Sequence, residues 1–208
     1  MSNLDLKKTL KHLYKPSAKK VSVVDVPAMN YLMIDGTGNP GTSPRYQQAI
    51  EALYPLSYGI RAISKAAGTV FTVMPLEGLW SFEGQENNTD FKLTTADKDK
   101  FEWTLMILQP EHITEDIVAQ ARENTAKGKA PTLLDDVRFE RYHEGEAVQI
   151  MHIGSYDDEG ENVEKLHNYI NENGWNFGKK HHEIYLSDPR KVEAAKLKTV
   201  IRQPFERV

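Results

Sequence analysis

Along these 208 residues one layout occurs twice: a strand, a loop, a helix, then two further strands. A unit that small buries only one side of its sheet. Two copies therefore gain most by packing together about a pseudo-twofold axis, and the cleft between them is the expected place for a ligand. The expected fold class is α+β: a duplicated strand-helix-strand-strand module, antiparallel sheets with helices, divided into halves at about 21–127 and 132–208.

The first copy opens at Val21 with VSVVDVPAMNYLMID, an extended segment in which Met29, Tyr31 and Met33 alternate, closed by the turn-rich GTGNPG. Ser43-Pro44 starts a helix that carries Ile50, Leu53, Tyr54, Ile60 and Ile63 at roughly helical spacing and ends in Ala66, Ala67 and Gly68. Pro55 either breaks it or begins a second turn of helix. Two apolar runs, Thr69 to Trp80 and Phe101 to Leu108, read as paired antiparallel strands around the polar EGQENNTDFKLTTADKDK. Glu111 to Lys127 reads as a helix, and 127–131 as a linker. In the second copy Glu146 to Ile153 is a strand, Gly154-Ser155 a turn, and Val163 to Asn173 a helix stopped by Gly174. His182 to Leu186 and Lys198 to Phe205 complete it as strands.

Several function classes are disfavoured at once. With 26 basic and 30 acidic residues the net charge is −4, which supplies no field for a phosphate backbone, so nucleic acid is not an expected partner. The lysines at 7, 8, 11, 15, 19 and 20 crowd a basic N-terminal segment, 1–20, that reads as a solvated arm or short helix. Some twenty residues are too few for a helix-turn-helix module. No apolar run approaches the roughly 18 residues of a membrane helix, and the N-terminus lacks the apolar core of a secretion signal, so a cytoplasmic protein without a membrane partner is expected. There is no cysteine, which removes thiolate nucleophiles, disulfides and the commonest zinc sites. His181 and His182 are adjacent on a strand and face opposite ways, so no metal is expected. The glycines of IDGTGNPG lack the lysine of a phosphate loop, and no cofactor is implied.

Three segments together, VPAMNYLMIDGTGNP, FTVMPLEGLW and HHEIYLSDPRKVEAAKLKTVIRQPF, resemble the GyrI-like small-molecule-binding family. That fold also serves as the effector domain of bacterial multidrug-sensing activators. The resemblance spans about Val21 to Phe205 and implies an aromatic-lined pocket at the pseudo-twofold interface with an acid deep inside it; Glu183 matches that acid. No DNA-binding module like that of the sensors is expected, and the chain looks more like the stand-alone members, some of which resemble hydrolases that open the strained ring of cyclopropane-bearing DNA alkylators.

The chemistry of the individual residues fits such a pocket. Alternation puts His181, Glu183 and Tyr185 on one strand face. A carboxylate walled by aromatic rings loses hydration and gains basicity, and a neighbouring tyrosine can orient it, an arrangement suited to activating a water. Glu183 and Tyr185 are therefore the expected catalytic residues. Trp80, Trp103 and Trp175 offer large flat surfaces for stacking, Tyr31 and Met33 share a strand face, and His152 and Tyr156 sit at a strand and turn beside the expected cleft. These seven are the candidate ligand contacts, with core packing as the alternative for each. Glu77, Asp157, Asp158, Glu159 and Glu161 are candidates for a second carboxylate, although the last four also suit the positive end of the helix that follows. The competing functions are drug sequestration without turnover and a protein-protein role such as shielding a DNA topoisomerase.

Overall fold

The computed structural model describes residues 2–82, 84, 98–128 and 130–208. The polar loop expected between the first pair of apolar runs lies almost entirely outside them. Among the described residues, eleven strands and five α-helices follow one another in the order β1 (Ser2–Leu4), α1 (Leu6–Thr9), α2 (Lys11–Tyr14), β2 (Ser22–Val26), β3 (Met29–Thr37), α3 (Pro44–Ala66), β4 (Thr69–Phe71), β5 (Glu77–Phe82), β6 (Phe101–Gln109), α4 (Glu115–Ala126), β7 (Arg138–Tyr142), β8 (Gly145–Ile153), α5 (Gly160–Glu172), β9 (Asn176–Phe177), β10 (His181–Tyr185) and β11 (Lys198–Glu206).

One curled antiparallel sheet carries the fold, in the order β2-β8-β11-β10-β5-β6-β3-β7, with β9 added to the end of β11. Read outward from the β10–β5 seam, both directions give the same sequence: second strand, third strand, first strand of each module, then an outer strand. The duplication is thus visible in the topology. The outer strands are exchanged: β2, which leads into the first module, pairs with β8 of the second, and β7, which leads into the second, pairs with β3 of the first. Each half thereby covers the other's exposed sheet edge.

Local chemistry sets the element ends. Pro27 has no N–H to give to a ladder, so the extended segment from Val21 is two strands, β2 and β3, rather than one, and they go to different neighbours. Ser43 and Pro44 begin α3 as the sequence indicates, and the helix runs unbroken through Pro55. Pro55 and Glu51, whose carbonyl loses its partner, are both on the exposed side, where water can satisfy that oxygen. Gly174 follows α5 at φ 68°, the left-handed conformation that ends a helix. The basic segment is no free arm: β1 pairs with β4, and Leu13 and Tyr14 of α2 are buried, because four leucines and a tyrosine are interspersed with its lysines.

Directly paired residues point to the same side of a sheet. By that rule Trp80, Gly78, His181, Glu183 and Tyr185 share one face of the seam, while Glu77, Leu79, His182 and Ile184 share the other. Helices α3 and α5 lie over the first of these faces, with the start of each helix above the seam. Apolar side chains of α5 (Val163, Leu166, Ile170) pack on Val148, Ile150 and Ile201, and those of α3 join the larger core with β3 and β6.

Candidate functional site

The helix-covered face of the seam holds a carboxylate inside aromatic rings. Glu183, only 6% exposed, accepts a 2.7 Å hydrogen bond from the Tyr185 hydroxyl at its Oε2. The Trp80 indole N–H donates in turn to the Tyr185 oxygen at 3.0 Å. This relay crosses the seam above Gly78, which lies directly opposite Glu183. A Cβ there would stand 2.7 Å from Trp80 Nε1 and 3.2 Å from the Tyr185 hydroxyl, so the glycine is what lets the two rings meet. Gly36 does the same for Trp103, whose ring occupies the space a side chain would need.

Both helices close the site from above. Tyr46, in the first turn of α3, packs against Trp80 at 6.1 Å and Trp103 at 5.2 Å between ring centroids. Tyr156, just ahead of α5, meets Tyr185 edge-on at 5.7 Å and is the most exposed of these rings at 36%. Phe101 extends the wall beside Trp80. Burial, followed by the nearby Glu183 charge, holds the Tyr185 and Tyr46 hydroxyls well above the ordinary phenol range. Burial and then Glu159 push Tyr156 up to about 12. These phenols stay protonated and donate rather than act as bases.

A second carboxyl reaches the same place. Glu159 immediately precedes α5 and is 1% exposed, near Glu183 and Thr199. Asp157, Asp158 and Glu161 point to solvent, and Asp157 pairs with Lys98 at 3.2 Å. Of the five candidates for a second carboxylate, Glu159 is therefore the one beside Glu183.

Glu77 is buried too, but on the opposite face, within a continuous ionic network. His182 lies between Glu77 (3.1 Å from Nε2) and Glu144 (3.0 Å from Nδ1). Arg202, directly opposite His182, donates to Glu144 at 2.8 Å, to Gln149 and to the Leu13 carbonyl. Tyr14 donates to Glu77 at 2.7 Å, which fastens α2 to this face. Burial alone would raise Glu144 and lower His182. Their mutual attraction, reinforced by Arg202 on Glu144 and by Glu77 on His182, reverses both, bringing Glu144 to about 2 and His182 to about 9.

The remaining sequence candidates divide by face and distance. Tyr31 and Met33 lie with the network: Met33 shares a row with Met106 and Glu77, and Tyr31 feels Glu77 and Glu144. The sheet separates both from Glu183, which removes them from the pocket wall. Trp103 is on the site face, under Tyr46. His152 is also on that face, in the row Tyr185–Thr199–His152, with its ring engaged by the Ser155 carbonyl and Asn162. Trp175 stacks on Phe205 at 4.0 Å under the Arg207 guanidinium, in the smaller core, and is not part of the site. His181 Nε2 stands 3.5 Å from Glu183 Oε1. Sequence reasoning missed Tyr46, Gly78 and Phe101. Of these, Gly78 carried a usable signal, a glycine inside an apolar strand run, which marks close approach.

Comparison with known proteins agrees with this architecture. A family description, GyrI-like small molecule binding domain, matches residues 19–205. An uncharacterized conserved protein from Listeria innocua is 37% identical, with 98% of this chain and 100% of that chain covered and a TM-score of 0.88. A hydrolase from Listeria innocua is 35% identical over 98% of this chain and 100% of its own, with a TM-score of 0.83. The C-terminal domain of EcmrR is 14% identical over 91% of this chain and 98% of that domain, with a TM-score of 0.54, and shares the fold. Comparison with curated proteins gives no match. No helix among the described residues is long and apolar enough to cross a membrane. The duplicated topology, the acid buried at its seam and a match covering nearly the whole chain lead to one conclusion: the protein belongs to the GyrI-like small-molecule-binding family.

Proposed function

We propose that this protein is a cytoplasmic hydrolase that opens the cyclopropane ring of bulky aromatic DNA alkylators, with Glu183 as the base. One observation carries the reading: a carboxylate fixed by a tyrosine hydroxyl inside an aromatic enclosure at the seam, between the starts of two helices. In the reaction a water oxygen attacks the unsubstituted ring carbon, Glu183 takes the water proton, and the breaking carbon–carbon bond delivers its electron pair to the conjugated carbonyl oxygen of the ligand. Tyr185 holds the carboxylate in place, and Trp80 fixes Tyr185. Trp80, Trp103, Tyr46 and Tyr156 supply flat surfaces for the ligand. Ring strain provides much of the driving force, so a single positioned base is sufficient. The likeness to a hydrolase over nearly the whole chain supports turnover.

The second reading is sequestration, in which Glu183 is the counter-charge for a bound cation; burial of the carboxylate among rings favours it equally. Incubation with a cyclopropane-bearing DNA alkylator, followed by mass spectrometry, separates the two. Many equivalents of ring-opened product per protein, lost in Glu183→Gln, support the hydrolase. Stoichiometric capture of intact ligand makes the protein a sequestering one.

A further inference from the structure

We propose that Glu159 is a working member of this site: a neutral carboxyl that keeps its proton beside the Glu183 carboxylate, so that the two form a one-proton pair beneath the aromatic rings. The placement rests on geometry. Glu159 is 1% exposed and Glu183 6%, and they approach from different elements, the start of α5 and the middle of β10. Thr199, directly opposite Tyr185 on β11, and Glu183 both come within weak hydrogen-bonding reach of the Glu159 carboxyl, but neither Glu159 Oε1 nor Thr199 Oγ1 closes a hydrogen bond of ordinary length among the described residues. A buried carboxyl oxygen left in that condition is costly in a purely structural role. The groups acting on Glu159 most strongly are Glu183 from β10, Thr199 from β11 and Asp157 from its own segment; Tyr185 and Tyr156 also face it. None of them is a cation; the nearest basic group to the other member of the pair is the His181 imidazole, with Nε2 3.5 Å from Glu183 Oε1.

The helix start favours a negative charge on Glu159, but two opposing effects are larger. Burial first, and the Glu183 charge second, drive the Glu159 carboxyl far above the ordinary carboxylate range. Two like charges this close do not both ionise, and the proton stays with the more buried member. Glu159 is thus a positioning residue that acts through Glu183 by keeping the site at one negative charge.

If the hydrolase reading holds, the pair also closes the proton balance. Glu183 accepts the water proton, the pair then holds two, and the oxygen that received the electron pair takes one. The product leaves neutral and the one-proton state returns.

Infrared difference spectroscopy of the full chain over a pH titration, without any ligand, reads the proton directly. The expected result is a protonated-carboxyl C=O band at pH 7 that disappears in Glu159→Gln and titrates at lower pH in Glu183→Gln. Absence of that band, or a band unchanged in Glu159→Gln, overturns the pair. Carbon-13 NMR of glutamate-labelled wild-type protein needs no variant: one carboxyl carbon should titrate far above the rest, and its absence has the same meaning. Glu159→Gln should also remove the alkaline limb of the wild-type pH profile of turnover; an unaltered limb counts against the positioning role. A band without product retains the pair and rejects the hydrolase; product without the band does the reverse.

Discussion

His182 and Glu183 are neighbours on one strand, yet the carboxyl clusters they join are opposites. On the His182 side, Glu77 and Glu144 are buried with a histidine and an arginine between them, and Gln149, Tyr14 and the Leu13 carbonyl take up the remaining hydrogen bonds. On the Glu183 side, two buried carboxyls are surrounded by phenols, an indole and the His181 imidazole at 3.5 Å, with no arginine or lysine beside them, and Glu159 Oε1 and Thr199 Oγ1 close no hydrogen bond of ordinary length among the described residues. A compensated cluster specifies structure, since each ion is desolvated but paired. An under-compensated cluster is one whose groups keep capacity for something else. The sheet keeps the two environments apart, so one strand serves both.

The largest effect should come from breaking compensation. Arg202→Leu leaves the Glu144 carboxylate paired with His182 alone among the described residues and removes the hydrogen bond to the Leu13 carbonyl of α2; urea unfolding should show a loss of about 3 to 5 kcal/mol. A loss near zero would mean the network is not a structural ion cluster.

Next is pH. His182 is raised from 6.5 to about 9, so the stability it contributes is complete below pH 6.5 and is lost as pH rises through about 9. Glu144 is lowered from 4.5 to about 2, so its contribution is complete above pH 4.5 and is lost as pH falls through about 2. Glu159, raised by burial, adds to the alkaline decline, since the folded chain holds a proton that the unfolded chain releases. Unfolding midpoints should therefore peak near pH 4.5, decline above it as the folded chain keeps the Glu159 proton, and decline more steeply from 6.5 to 9; a flat profile from 6.5 to 9 contradicts the assignment.

A smaller, local effect is expected at the seam. Gly78→Ala places a methyl where Trp80 and Tyr185 meet and should cost about 1 to 2 kcal/mol, with a shift in tryptophan emission as the indole leaves its hydrogen bond. Unchanged emission would mean the relay does not depend on that glycine. The smallest is Trp175→Phe, which keeps a ring on Phe205: stability should fall by about 1 kcal/mol or less, and ligand affinity should not change.

What the sequence disclosed follows from the range of the forces involved. Punctuation by Ser43-Pro44, Gly154 and Gly174, together with apolar periodicity, located α3, β8, α5 and β11 within a few residues, because these signals act locally. The strand exchange was not legible, since Arg138–Tyr142 is a charged, half-exposed edge strand whose partner lies over a hundred residues away. Alternation correctly joined Glu183 with Tyr185, and Tyr31 with Met33, but alternation says which residues share a face, not which face. Register decides that, and it put the second pair behind the sheet. Spacing likewise left Asp157, Asp158, Glu159 and Glu161 equivalent as acids at a helix start; only the packing of α5 on β11 singles out Glu159.

The central claim, that function resides on the Glu183 side of β10 and structure on the His182 side, is tested most directly by the rate of ring-opened product from a cyclopropane-bearing DNA alkylator in two variants, Glu183→Gln and Tyr31→Phe. The account predicts a loss of about 100-fold or more in the first and a rate within about two-fold of wild type in the second. Wild-type turnover retained by Glu183→Gln and lost in Tyr31→Phe would place the site on the wrong face and contradict it.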